Sequence, residues 1–151
     1  MIKISKMADY AVVVLSVLAR DAAALKTACS VSQTTRLPEP TVAKVLKILA
    51  REGLIDSIRG ANGGYKLARP AHLINVAEVL TAIEGPVSLT ACVDGSHETC
   101  DFESHCPVKG RWDDVNMAIR VALESITLAD MLTGRFCFKP PIKSKETHER
   151  L

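Results

Sequence analysis

Three features of this 151-residue sequence predict a mainly α fold, a winged helix-turn-helix domain followed by a long C-terminal helix. Apolar side chains recur at helical spacing in two segments of the first 52 residues, with a short helix and a turn between them. A glycine-rich hairpin follows directly. A seven-residue apolar repeat then occupies the back of the chain.

Taken in order, residues 4–20 read as a first helix through Ile4, Met7, Ala11, Val14, Leu15 and Leu18. Val12, Val13 and Val17 widen that face and predict burial on more than one side. Thr27 to Thr35 is a short helix that stops before Pro38, and Cys29 within it reads as a packing residue. Pro40 and Thr41 open a third helix, since proline suits a first helical turn; it runs to about Glu52 and ends at Gly53. Its apolar stripe is Val42, Val45, Leu46 and Leu49; its opposite face carries Thr41, Lys44, Lys47 and Arg51. Leu54 to Ile58 and Tyr65 to Leu67 are strands around Arg59-Gly-Ala-Asn-Gly-Gly64, a turn rich in residues that tolerate positive φ. Asn75 and Glu78 form a variant capping box for a helix that reaches Ile83 and breaks at Gly85-Pro86.

Residues 86–107 are irregular, with four acids and no bases. Val108, Trp112, Val115, Ile119, Ala122 and Ile126 then follow steps of 4, 3, 4, 3 and 4. A heptad seam of this length is about 28 Å of helix and predicts packing against another long helix, either within the chain or from a second copy. The tail from Lys139, with its Pro-Pro pair and dense charge, is expected to be disordered.

Composition narrows the classes of function. No run approaches the roughly 18 apolar residues that a membrane span needs. The apolar stretch from Ala11 lies behind Lys3, Lys6 and Asp9 and lacks a cleavage pattern, so the expected compartment is the cytoplasm. Five cysteines without a secretory signal argue against a disulfide framework. The net charge of +2 hides an asymmetry: residues 1–70 carry eleven Lys/Arg against five Asp/Glu, and residues 71–151 carry eight against twelve. A basic front half suits a polyanion, though an ordinary solvated surface has the same arithmetic. No motif pairs a general base with a nucleophile and no loop cradles phosphate, so neither an enzyme nor a small-molecule substrate is expected.

Helix, turn, helix and wing together point to double-stranded DNA. The first residues of a recognition helix reach base edges while its other face packs on the scaffold. Thr41, Lys44 and Lys47, at i, i+3 and i+6, line one face; lysine reaches phosphate or guanine, and threonine a base edge or thymine methyl. Arg36 in the inter-helix turn suits a phosphate. Arg59 and Asn62 in the thin hairpin loop suit a minor groove.

The second candidate site is Cys92-x7-Cys100-x5-Cys106. This spacing is looser than the pairs, two to four residues apart, that zinc favours. An iron–sulfur core tolerates longer loops because its thiolates bind separate irons. Three soft donors therefore suggest a cluster with one non-cysteine ligand. Zinc with His97 or His105 as fourth ligand, and a thiol redox switch, remain open. The nearby acids disfavour three further thiolates unless a cationic core relieves the repulsion.

The residues then become recognisable. Ile2-Lys-Ile-Ser-Lys-Met-Ala-Asp-Tyr-Ala11, Glu52-Gly-Leu-Ile55, Arg59-Gly-Ala-Asn-Gly-Gly-Tyr-Lys-Leu67 and Ile83-Glu-Gly-Pro86 resemble the Rrf2 family of regulators, the IscR and NsrR type. The three cysteines, Cys106-Pro-Val-Lys-Gly-Arg-Trp112 and Ile126-Thr-Leu-Ala-Asp130 extend the likeness to about residue 132. Cys-Pro-Val and Ala118-Ile-Arg-x-Ala-Leu123 look most like the subgroup that regulates SUF-type iron–sulfur assembly operons. The resemblance implies a homodimer that crosses long C-terminal helices and binds a palindromic operator. It also implies a 2Fe–2S or 4Fe–4S cluster on Cys92, Cys100 and Cys106.

One departure matters. IscR-like members carry a histidine three residues after the last cysteine, where this chain has Lys109. NsrR-like members donate a carboxylate from the partner's first helix, and the matching residue is Asp9. Asp9 in trans is thus the favoured fourth ligand, with His105 second; an ordinary exposed helix acid is the competing reading. Cys29 and Cys137 match no ligand position. The expected organisation is a winged domain over 1–85, a cluster-binding loop over 86–107, a dimerisation helix region over 108–132 and a tail over 133–151. The expected role is an iron–sulfur-dependent repressor of SUF-type genes. A nitric-oxide or iron-availability sensor on the same scaffold, or a zinc-stabilised winged repressor, is the alternative.

Overall fold

In the computed structural model, residues 3–93, 96 and 99–135 are described. Three helices come first, α1 (Lys6–Arg20), α2 (Ala28–Thr35) and α3 (Glu39–Arg51). The antiparallel hairpin β1 (Ile55–Ile58) and β2 (Gly64–Leu67) follows, then α4 (Val76–Glu84), α5 (Arg111–Glu124) and α6 (Leu128–Thr133). The hairpin pairs Ile55 with Leu67 and Ile58 with Gly64. This mainly helical arrangement with one small sheet is the winged helix that the sequence predicts.

Helix α1 starts two residues later than its apolar spacing suggests. Ser5 is the N-cap, its hydroxyl accepting from the Ala8 N–H at 3.2 Å, which leaves Ile4 outside the helix and half exposed. Ala11, Val14, Leu15 and Leu18 face the core with no solvent exposure. They meet Val31 of α2, Val42, Val45, Leu46 and Leu49 of α3, Leu54, and Leu67 of β2 in one cluster. Burying each large aliphatic side chain contributes about 1.5–3 kcal/mol, so this cluster is what holds the head together. Cys29 departs from its expected packing role. Val31 is the inward residue of α2, and Cys29 lies exposed with the Gln33 amide donating to its sulfur at 3.7 Å.

Two backbone pairings have no counterpart in the sequence reading. Lys26 and Tyr65 form an antiparallel bridge through hydrogen bonds of 3.0 and 2.9 Å, adding a third rung beside the hairpin. Asn75 and Thr127 form another, with the Val76 N–H donating to the Ile126 carbonyl and the Leu128 N–H to the Ile74 carbonyl, both at 2.8 Å. This second bridge returns the back of the chain to the head. Leu128 enters the main cluster, and Ile126 and Leu123 pack on Ala8, Val76 and Leu80.

The heptad seam is therefore divided. Val108 precedes the left-handed Gly110 that opens α5, and Ile126 follows the end of the helix at Ser125. Within α5 the helix lasts 14 residues. Val108, Trp112 and Val115 remain 42–47% exposed, whereas Ile126 joins the second core cluster. Helix α6 begins with a full capping box: Thr127 Oγ1 accepts from the Asp130 N–H at 3.1 Å, and the Thr127 N–H donates to Asp130 Oδ2 at 2.9 Å. Hydrogen bonds from the Thr127 hydroxyl and then its backbone hold the Asp130 carboxyl below the usual carboxylate range. No described helix is long and apolar enough to cross a membrane.

Candidate nucleic-acid interface and cysteine segment

The helix-turn-helix corner is set by side chains of α2. Ser32 donates to the Leu37 carbonyl at 2.6 Å, and Thr35 Oγ1 accepts from the Leu37 N–H at 3.3 Å. Between them Arg36 is forced into the left-handed region at φ 63°, its N–H donating back to the Ser32 carbonyl. A non-glycine residue there is strained unless its surroundings demand it, and here the hydroxyl contacts do. The consequence is an exposed Arg36 side chain at the corner between α2 and α3.

Helix α3 has Pro38 before it and Pro40 in its first turn. With Val42, Val45, Leu46 and Leu49 buried, the opposite face is fixed outward. Lys44 and Lys47 are exposed on it, and Thr41, in the first turn, is half-buried. Arg51 on the same side is drawn into an ion pair with Glu52 at 2.9 Å. Lys44, Lys47, Arg36 and Arg59 have no acidic partner among the described residues. Four cations without an acidic partner among the described residues suit an external polyanion.

The wing loop is dictated by its glycines. A Cβ at Gly63 would overlap the carbonyl oxygen of Ile58, so no other residue fits that point of the turn. The loop that results carries Arg59 and Asn62, both exposed. Thus all six residues expected to meet DNA lie on the corner, the outer face of α3 or the wing.

Cys92, Cys100 and Cys106 are free thiols, each half-buried. Regular structure in their segment is limited among the described residues to a 3-10 turn at Glu103–His105. Three free, soft donors on one connection suit a thiophilic iron centre in kind and number. They are not drawn together: among the described residues no three His, Cys, Asp or Glu side chains are grouped to hold a metal ion. Thr90 Oγ1 lies 3.3 Å from Cys92 Sγ, within hydrogen-bond reach of the sulfur.

The fourth-ligand candidates separate. His105 is exposed beside Cys106 with its Nδ1 2.8 Å from Ser104 Oγ. Lys109 is held at 3.0 Å by Glu103, consistent with a surface cation and not a ligand. Asp9 is exposed on α1 and lines a cleft of about 380 Å³ whose walls include Ile4, Val12, Leu80 and Met131. Among the described residues it is not grouped with the three thiols. His97 and Cys137 lie outside the described residues, as does the tail from residue 136.

The sequence reading missed Asn116. It is the buried polar side chain of the described residues, at 7% exposure on α5. An uncharged polar residue one turn from both Trp112 and Ile119, on the inner flank of the seam, was the available signal.

A family model described as an iron-dependent transcriptional regulator, Rrf2, matches residues 4–134. The chain belongs to the Rrf2 family. Its relatives include the transcriptional regulator NsrR of Shouchella clausii, 29% identical over 79% of this chain and 80% of that one. With an HTH-type regulator of Neisseria meningitidis the identity is 38% over 84 residues, and the match spans 55% of that relative's length. Among solved structures, the global cysteine regulator CymR of B. subtilis superposes with a TM-score of 0.71 at 28% identity, covering 90% of this chain and all of CymR. IscR of T. potens gives a TM-score of 0.65 at 29% identity, covering 91% and 94%. This Rrf2 protein therefore has the winged-helix fold of transcriptional regulators, which are not enzymes.

Proposed function

We propose that this Rrf2 protein is an iron–sulfur-dependent transcriptional repressor of SUF-type iron–sulfur assembly genes, binding palindromic operator DNA as a homodimer. The observation that carries the reading is the set of three free cysteines on the connection between the winged head and α5, in a family described as iron-dependent.

Cys92, Cys100 and Cys106 would hold the cluster, with the Asp9 carboxylate of the partner subunit as fourth ligand. When bound, the cluster supplies a redox-sensitive core with one oxygen-ligated, labile iron. The chain's own residues do the rest. Arg36, Lys44 and Lys47 bind phosphate or base edges, Thr41 sits at the start of the recognition helix, and Arg59 and Asn62 reach the adjacent groove. The exposed apolar side of α5 pairs with its copy, so the two α3 helices are spaced by the dimer. Ordering the 86–107 connection changes how the heads sit on α5 and hence that spacing. Asp9 in trans is supported by its exposure and the absence of a described partner for its carboxylate.

Anaerobic purification or reconstitution with iron and sulfide tests the reading. The wild-type protein should show visible absorbance and bound iron, and Cys92→Ala should abolish both and change operator affinity. Protein that stays colourless and iron-free after reconstitution would overturn the cluster. Operator binding indifferent to both cluster and mutation would overturn the sensor. Regulation by nitric oxide or iron availability is the second reading, favoured by the NsrR relative's 80% coverage. Exposure of the loaded protein to each signal separates them.

A further inference from the structure

Asn116 is placed as few surface-helix residues are. Its Nδ2 donates to the Val87 carbonyl and its Oδ1 accepts from the Leu89 N–H, both at 3.0 Å, across 29 and 27 residues of sequence. In an extended segment the carbonyl of one residue and the N–H two residues on point to the same side. A primary amide carries one donor and one acceptor side by side and so matches that edge as a neighbouring strand would. Aspartate offers no donor to Val87, and leucine offers neither bond. Asn116 itself is only 7% exposed, and a polar group so placed loses free energy when its hydrogen bonds are unmade.

The segment clamped this way leads straight to the first cysteine. Leu89 is followed by Thr90, whose hydroxyl is 3.3 Å from the Cys92 sulfur, and then by Val93, only 4% exposed. Cys92 is thus bracketed by an amide clamp on one side and a buried aliphatic anchor on the other. From this geometry we infer that Asn116 is a positioning residue that ties the backbone leading to Cys92 to α5. Any displacement of Cys92 is thereby delivered to the helix that carries the exposed apolar seam.

The link to a cluster rests on the proposed function; the tie itself does not, and the experiment keeps the two apart. Reduced, cluster-free protein is treated with iodoacetamide, and each cysteine is followed by peptide mass spectrometry in wild type, Asn116→Leu and Asn116→Asp. Asn116→Asp, which loses one hydrogen bond, should alkylate Cys92 about tenfold faster relative to Cys106, and Asn116→Leu, which loses both, at least as much faster. Operator affinity of the cluster-free protein should be unchanged. In loaded protein, absorbance should decay faster, and the ratio of operator affinities with and without cluster should fall toward one. An unchanged Cys92 rate in both variants would overturn the inference. So would a rise of Cys92, Cys100 and Cys106 together with lost operator affinity, since that is general loosening. Wild-type protein that takes up no cluster sinks the proposed function alone, and the alkylation rates still decide the role of Asn116.

Discussion

Helices α3 and α5 carry apolar stripes of similar residue types at similar spacing, yet the two meet opposite fates. On α3, Val42, Val45, Leu46 and Leu49 are wholly buried. On α5, Trp112 and Val115 of the seam are 42 and 44% exposed. The difference lies in what surrounds each helix. Helix α3 is enclosed by α1, α2 and β1, whereas α5 touches the head chiefly through α4, with Leu123 and Asn116 facing inward. A stripe of this kind states that a face must be covered. It does not say by what.

That contrast can be broken from both sides. The largest effect is expected for Leu46→Ala, which empties a site with no solvent exposure; the head should lose about 2–5 kcal/mol in denaturant unfolding. Val115→Asp should do the reverse. It should change the unfolding of the separated chain by no more than about 0.5 kcal/mol, as surface substitutions do, and still weaken self-association at least about tenfold in sedimentation equilibrium. A Val115→Asp protein that remained as associated as wild type would place the covering partner elsewhere. The smallest effect belongs to the outward face of α3. Lys47→Gln should leave folding intact and reduce the slope of log affinity against log salt by about 0.9, the share of one phosphate contact. An unaltered slope would remove Lys47 from the interface.

How much of this was legible differs between the two halves. In the head, the proline at the start of α3, the glycines of the wing and the alternation of apolar positions each specify a local conformation, so the elements were readable to within a residue or two. The candidate DNA contacts on α3 follow from the same logic, because a buried stripe determines the face opposite it. Thr41 was the exception, being half-buried in the first turn of α3. Cys29 was also misplaced. Its hydrophobic character favours burial, but α2 turns Val31 and Ala28 to the core and leaves Cys29 exposed.

In the back half the reading was less complete. The repeat from Val108 to Ile126 is real, but Gly110 and the break at Ser125 limit the helix, and Ile126 turns inward to the head. The bridge between Asn75 and Thr127, the clamp from Asn116 to the backbone at 87 and 89, and the rung from Lys26 to Tyr65 join residues 27 to 52 positions apart. No local pattern encodes such pairings.

By itself, then, the order of residues determined the winged head, the outward cations and the presence of three soft sulfur donors, since propensity, capping and periodicity act over a few neighbours. Tertiary structure alone decided which apolar faces found cover, how α6 returns to the head and that an amide on α5 grips the backbone before Cys92. Those outcomes depend on distant segments competing for the same space, and only the folded chain resolves that competition.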